Sequence, residues 1–187
     1  GAAPERFRTP DDAADRRAAL SLPEAYVVLV GTATSLEHGF RAAAAAGLDA
    51  VVLDAAEGTE PHLADLASAA GLPERQAHIR GRIEVADRAA VLGGARAFIA
   101  TSALTSWPWR AVEAMHLGTP VVAVESGVHR DVIAEGGVIA AETDLPEALE
   151  DALGDGARRL RVLATDRSRA FSWASSAERI WSLHADL

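Results

Sequence analysis

Phe98-Ile-Ala-Thr-Ser-Ala-Leu-Thr-Ser-Trp-Pro-Trp-Arg-Ala-Val-Glu-Ala-Met-His-Leu-Gly-Thr-Pro-Val-Val-Ala-Val124 decides the fold of this chain. An apolar run ends at Thr101, and a polar loop follows to Ser106. Helix-forming residues then open at Pro108 and stop at Gly118, and a second apolar run, Pro120 to Val124, completes the unit. Proline fits the first turn of a helix because its missing N–H has no partner there, and glycine suits the left-handed residue that closes one. Two strands rich in β-branched residues, joined through one helix, form a parallel crossover. Glu113 is the one carboxylate on that helix.

Upstream of this unit the same alternation recurs. Tyr26 to Val30 is a continuous apolar run closed by Gly31, as expected of a strand buried on both faces. Leu36 to Ala46 reads as a helix stopped by Gly47, Val51 to Leu53 as a strand, and Pro61 to Ala70 as a helix ended by Gly71. Ala77 to Arg80 is a short strand, Val85 to Ala95 a helix and Ala97 to Thr101 a strand. Past Val124 come a helix at Val128 to Ala134 and a last strand at Val138 to Ala140. Asp11 to Leu20 is a short helical pattern before Pro23. From Leu145 onward the chain reads as helices, with Phe171-Ser-Trp173 marking a break between two of them.

Repeated β-α alternation implies a Rossmann-like, three-layer α/β/α sandwich with a parallel sheet of about six strands. The organisation expected is a linker over 1–22, the Rossmann-like domain over 23–143, and C-terminal helices completing it over 144–187. In such sheets ligands bind beyond the carboxyl ends of the strands. That directs attention to the loops after Val30, Arg80, Thr101, Val124 and Ala141.

Composition narrows the chemistry. The chain has 187 residues, enough for one domain with its own core, and no cysteine, which excludes thiolate nucleophiles and sulfur-ligated zinc. Its net charge of -9 with no basic cluster argues against nucleic acid as a partner. All basic residues are arginine, so neither a Schiff-base lysine nor a lysine phosphate clamp exists. Gly31-Thr-Ala-Thr-Ser-Leu is no dinucleotide fingerprint, and neither a P-loop nor a Gly-x-Ser-x-Gly elbow occurs. His78, His116 and His129 share no metal-ligand spacing, and Asp11-Asp-Ala-Ala-Asp15 is explained by helix-dipole preference, so no metal site is expected. No apolar run reaches membrane-spanning length and no signal-peptide pattern opens the chain; a cytoplasmic location is expected.

Several segments together resemble the nucleotide-sugar-binding half of family 4 (group 1) retaining glycosyltransferases, built from two Rossmann-like domains in the GT-B fold. Pro4-Glu-Arg-Phe-Arg-Thr-Pro10 is similar to the segment leading into their second domain. Val30-Gly31, His78-Ile-Arg-Gly81 and Ala95-Arg-Ala-Phe-Ile-Ala-Thr-Ser102 resemble its strand ends. Glu113-Ala-Met115 with Gly118-Thr-Pro-Val-Val122 is the most specific match, and Arg169 to Trp181 resembles the closing helices. The resemblance implies a C-terminal domain that binds a nucleotide-diphosphate sugar and lacks the N-terminal acceptor-binding domain. No cofactor beyond that donor is implied, and any membrane-surface association would run through the missing domain.

Carried over residue by residue, the ribose-gripping glutamate is Glu113. The glutamate that helps to hold the donor sugar falls on Thr105, and the glycine-rich stretch after it becomes Ser106-Trp-Pro-Trp109. The arginine and lysine that steady the diphosphate fall on Thr32 and His38. A charge-assisted contact is worth roughly 1.5–3 kcal/mol, so losing two costs on the order of a hundredfold to several thousandfold unless replaced. Arg80, Arg82, Arg110, Arg130 and the helix N-terminus near Ser106 are the candidates for replacement; Ser126 and Gly127, at another helix start, either offer amides to a phosphate or form only a cap and turn. The local alternative for Glu113 is an ordinary pair with Arg110 on its own helix. For Trp107 and Trp109 it is packing rather than stacking on a ligand. A second hypothesis is a degenerate glycosyltransferase-like domain that serves binding or assembly.

Overall fold

A computed structural model describes residues 7–185. Residues 1–6 of the expected linker, which include Pro4 to Arg6 of the segment resembling a domain lead-in, and 186–187 of the C-terminal helices lie outside the described residues.

Six strands form one parallel sheet in the order β3-β2-β1-β4-β5-β6. They are β1 (Tyr26–Val30), β2 (Asp49–Val52), β3 (Ala77–Ile79), β4 (Ala97–Ala100), β5 (Val121–Val124) and β6 (Gly137–Ala140). Val27 pairs with Ala50 on one side and Ala97 on the other, so β1 is central. Helix α1 (Ala13–Ala19) precedes β1, and the helices between the strands are α2 (Ala33–Ala45), α3 (Glu60–Ala69), α4 (Val85–Gly94), α5 (Trp109–His116) and α6 (Gly127–Ile133). They are followed by α7 (Leu145–Leu153), α8 (Ala157–Ser168) and α9 (Trp173–Ala185).

Side chains of a strand alternate faces, and here that alternation divides the core in two. Val27, Leu29, Val52, Ile99 and Val122 pack with α2, α3 and α7. Tyr26, Val28, Val51, Phe98 and Val121 pack against α4, α5 and Ala164 of α8. Runs apolar at every position are what burial on both faces demands. Phe7 and Ala13 are buried too, and α1 lies on α4.

Gly47, Gly71 and Gly118, the expected helix stops, all take positive φ. At Gly118 the backbone closes α5 by donating to Met115 O at 3.0 Å, while the Thr119 N–H returns to Ala114 O at 2.9 Å. Helix α2 starts three residues before the expected Leu36, because Thr32 caps it by accepting from the Ser35 N–H at 3.3 Å. A side-chain cap at that point outweighs the weak helix propensity of Thr34 and Ser35. The expected break at Phe171 is a short turn, Arg169–Phe171, between α8 and α9. Helix α9 leaves Trp173, Ile180, Trp181 and Leu183 exposed. Among the described residues no helix is long and apolar enough to cross a membrane.

Candidate functional site

The chain order β1, β2, β3 runs outward in one direction; α4 then brings the chain back across to β4, on the other side of β1. The strand order reverses between β1 and β4, the place where a parallel sheet opens a crevice. A cleft of about 460 Å³ lies there, in the range of small-molecule sites. Val30, Gly31 and Thr32 form one wall, and the Ser102 to Arg110 segment forms another, with Asp54 and His129 completing the rim. Gly31 has a physical reason: a Cβ on it would lie 2.0 Å from Thr101 Oγ1 and 2.5 Å from Ser35 Oγ. Those hydroxyls bond each other at 3.0 Å and tie the first turn of α2, entered from the β1 loop, to the β4 loop.

A second, shallower groove is lined by Arg82, Glu84, Arg88 and Arg110, among others. Arg110 borders both spaces. Beneath it lies a chain of paired charges. Arg88 donates from Nε to Glu113 Oε2 and from Nη2 to Oε1, both at 3.0 Å. Arg110 adds Nη1 to Glu113 Oε2 at 3.0 Å and grips Asp54 through Nε at 2.7 Å and Nη2 at 3.1 Å. The Glu113 side chain is 14% exposed and that of Arg88 10%, so this is a largely desolvated network, where removal of one partner is costly. The Arg88 guanidinium also lies 5.5 Å over the Phe7 ring. Burial works against the Arg110 charge, but hydrogen bonding and attraction to Asp54 and Glu113 outweigh it and hold its pKa above the ordinary arginine value.

The sequence-derived candidates are only partly gathered here. Thr32 and Thr105 line the cleft, and Glu113 anchors the network under Arg110. Arg82 lies in the adjoining groove, exposed and without an ion-pair partner among the described residues. His38 does not line the cleft; its Nε2 sits 3.6 Å from Glu142 Oε2. Ser126 caps α6 by accepting from the His129 N–H at 3.0 Å, and a Cβ on Gly127 would meet nothing within 4 Å. Both stand beside the cleft through His129, whose Nδ1 lies 2.6 Å from Val124 O.

Two proposed replacement arginines are engaged elsewhere. Arg80 donates to Ile79 O and Leu20 O, and Arg130 pairs with Glu125. Trp107 packs edge-on against Trp109 and Phe171, with ring centroids 5.9 and 5.4 Å away. Its indole N–H is buried without a hydrogen-bond partner. Sequence reasoning missed Asp54 and Arg88. Asp54 lies two residues past the end of β2 and was signalled by its place near a strand end. Arg88 carried no local signal, since only the packing of α4 on α5 brings it to Glu113. Among the described residues no cluster of three or more histidine or acidic residues could hold a metal ion.

A parallel sheet in this order with a crevice at its reversal defines a Rossmann-like α/β domain, one half of the GT-B architecture. Residues 36–157 match the family model for glycosyl transferases group 1, more than half of the chain, and the chain belongs to that family. A D-inositol 3-phosphate glycosyltransferase of Corynebacterium aurimucosum is 36% identical over 83 residues, a match taking in 41% of this chain and 20% of the relative. Among solved structures, sucrose-phosphate synthase from Thermosynechococcus elongatus superposes with a TM-score of 0.78 at 23% identity, over 100% of this chain and 51% of that one. Anabaena HepE in complex with UDP and glucose gives 0.78 at 20% identity, over 100% and 55%. The C-terminal domain of a group 1 glycosyl transferase from Francisella tularensis gives 0.72 at 17% identity, over 92% of this chain and 100% of that one. The chain thus spans about half the length of the first two of these solved chains, and all of the isolated domain.

Proposed function

We propose that this chain is the nucleotide-diphosphate-sugar-binding C-terminal domain of a glycosyltransferase that transfers a sugar with retention. The observation that carries this reading is the Glu113 carboxylate, fixed on both oxygens by Arg88, which lines the groove, and joined to Arg110, which lines groove and cleft alike. A ribose offers two neighbouring hydroxyls as donors, and a carboxylate held in one orientation accepts from both. Oε1 takes one hydrogen bond and Oε2 two, so Oε1 accepts one ribose hydroxyl directly, and Oε2 accepts the second when Arg110 Nη1 leaves it. The base then lies towards Arg82 and the sugar towards Thr105. HepE, bound to UDP-glucose, supports the choice of ligand class. Transfer is completed with an acceptor held by a preceding domain. The exposed apolar residues of α9 suit burial under such a neighbour.

Calorimetric titration with uridine, guanosine and adenosine diphosphates and their sugar conjugates tests this reading. One base binds saturably, and Glu113→Gln weakens it by roughly tenfold or more, the scale of one charged hydrogen bond. No binding of any of them by folded protein overturns it.

A binding or assembly module is the second reading. It is favoured by the cleft's one arginine among the described lining residues being paired to two carboxylates, and by Trp107 and Phe171 filling the loop base. The same titration separates the two.

A further inference from the structure

Arg110 is the one arginine among the described residues lining both the cleft and the adjoining groove. Any ligand that runs from Glu113 into the cleft passes it. The charge of Glu113 is already met at two points by Arg88, so the guanidinium of Arg110 is committed chiefly to Asp54, through two hydrogen bonds. Asp54 follows the end of β2 with φ +59, a left-handed conformation that aspartate and asparagine adopt more readily than most side chains. Its side chain is 33% exposed and borders the cleft.

A guanidinium offers two edges to two-pronged partners; Asp54 takes Nε and Nη2 of Arg110 and Glu113 takes Nη1, so a two-pronged phosphate must displace one of them, and Asp54, the more exposed, is the one that yields. On the donor-binding reading, we propose that Asp54 is a built-in competitor for the donor's diphosphate: it holds Arg110 in the empty domain, and Arg110 exchanges it for the diphosphate on binding. Arg110 then supplies the positive charge that Thr32 and His38 do not. Release of Asp54 requires no new partner, because a carboxylate that is a third exposed turns back to water. The competitor acts only on ligands that carry the diphosphate, and a nucleoside held at Glu113 and Arg82 is indifferent to it.

The test titrates the 187-residue chain, Asp54→Asn and Arg110→Gln with uridine, guanosine and adenosine diphosphates and with the three matching nucleosides. Asparagine keeps the left-handed turn and the side-chain shape while removing the charge. Asp54→Asn tightens the diphosphate by roughly tenfold and leaves the nucleoside within about twofold, whereas Arg110→Gln weakens the diphosphate by roughly tenfold. Diphosphate binding to the unaltered chain that is unchanged or weaker in Asp54→Asn overturns the inference and leaves the donor reading standing. Tightening in Asp54→Asn with no loss in Arg110→Gln also overturns it, since general repulsion rather than exchange is then at work. No nucleotide binding by any of the three, each folded by circular dichroism, removes both the inference and the reading beneath it.

Discussion

The two ends of the cleft region are built from opposite chemistry. At the Glu113 end, four charged side chains, Arg88, Glu113, Arg110 and Asp54, neutralise one another in a chain of hydrogen bonds of 2.7–3.1 Å. At the Gly31 end, Thr32, Ser35 and Thr101 exchange hydroxyl hydrogen bonds of 3.0–3.1 Å with no ionised group among them. Charged networks are costly to interrupt, because the partner left behind keeps its charge in a poorly solvated place. Hydroxyl networks tolerate deletion, and are sensitive instead to volume. The first end can therefore orient a ligand strongly, while the second mainly sets the shape of the space.

The largest effect that separates the two ends is expected from Arg88→Ala. It strips Glu113 of two hydrogen bonds and leaves the carboxylate to Arg110 alone, at a cost of about 3–5 kcal/mol. Urea denaturation measures it. A loss below about 1 kcal/mol would mean that the network is solvated and that the contrast between the ends is false.

Next in size is a pH effect on the helix that carries Arg88. The Tyr26 hydroxyl, buried beneath α4, donates to Val91 O at 2.7 Å. Burial pushes its pKa up to about 12, from an ordinary value of 10.0. In the unfolded chain the phenol ionises first, so the stability held below pH 10 is lost as pH rises from 10 to 12. Two pKa steps correspond to roughly 3 kcal/mol. Tyr26 is the only tyrosine in the chain, so phenolate absorbance reports this group alone. In Tyr26→Phe that alkaline loss disappears.

At the other end, Gly31→Ala probes volume rather than charge. The added carbon meets Thr101 Oγ1 at 2.0 Å and Ser35 Oγ at 2.5 Å, so the loops must part. A cost of about 1–3 kcal/mol is expected in the melting curve, as for other overpacked sites. A melting temperature unchanged from the parent would show that the β1 and β4 loops yield freely.

How far each region was legible in the sequence follows from the same contrast. The strands were readable because a sheet covered on both faces needs unbroken apolar runs such as Tyr26 to Val30 and Val121 to Val124, and these are local patterns. Glu113 stood out because it is the lone carboxylate in a helix between two such strands. Its partnership with Arg110 is three residues away and was open to view as the ordinary alternative. Arg88 lies 25 residues earlier on another helix, and Asp54 is 56 residues from Arg110; chain distance hid both. His38 illustrates the reverse case: the family resemblance puts it at the position of a diphosphate-holding lysine, but its ring lies beside Glu142 and not on the cleft.

The smallest effect is expected at Thr32, where the two roles of that residue can be separated. As the cap of α2 it accepts from the Ser35 N–H at 3.3 Å, a long bond that places it low in the usual range, so Thr32→Ala costs about 0.5–1 kcal/mol. Thr32→Ser keeps a hydroxyl in the same position and restores stability. If Thr32 also meets a ligand in the cleft it lines, Thr32→Ala weakens nucleotide binding and Thr32→Ser recovers it alongside stability. If it only caps the helix, binding is the same in all three proteins while stability alone varies. Since neither substitution alters a charge, a change in affinity here would assign part of the recognition to the uncharged end and narrow the gap between the two.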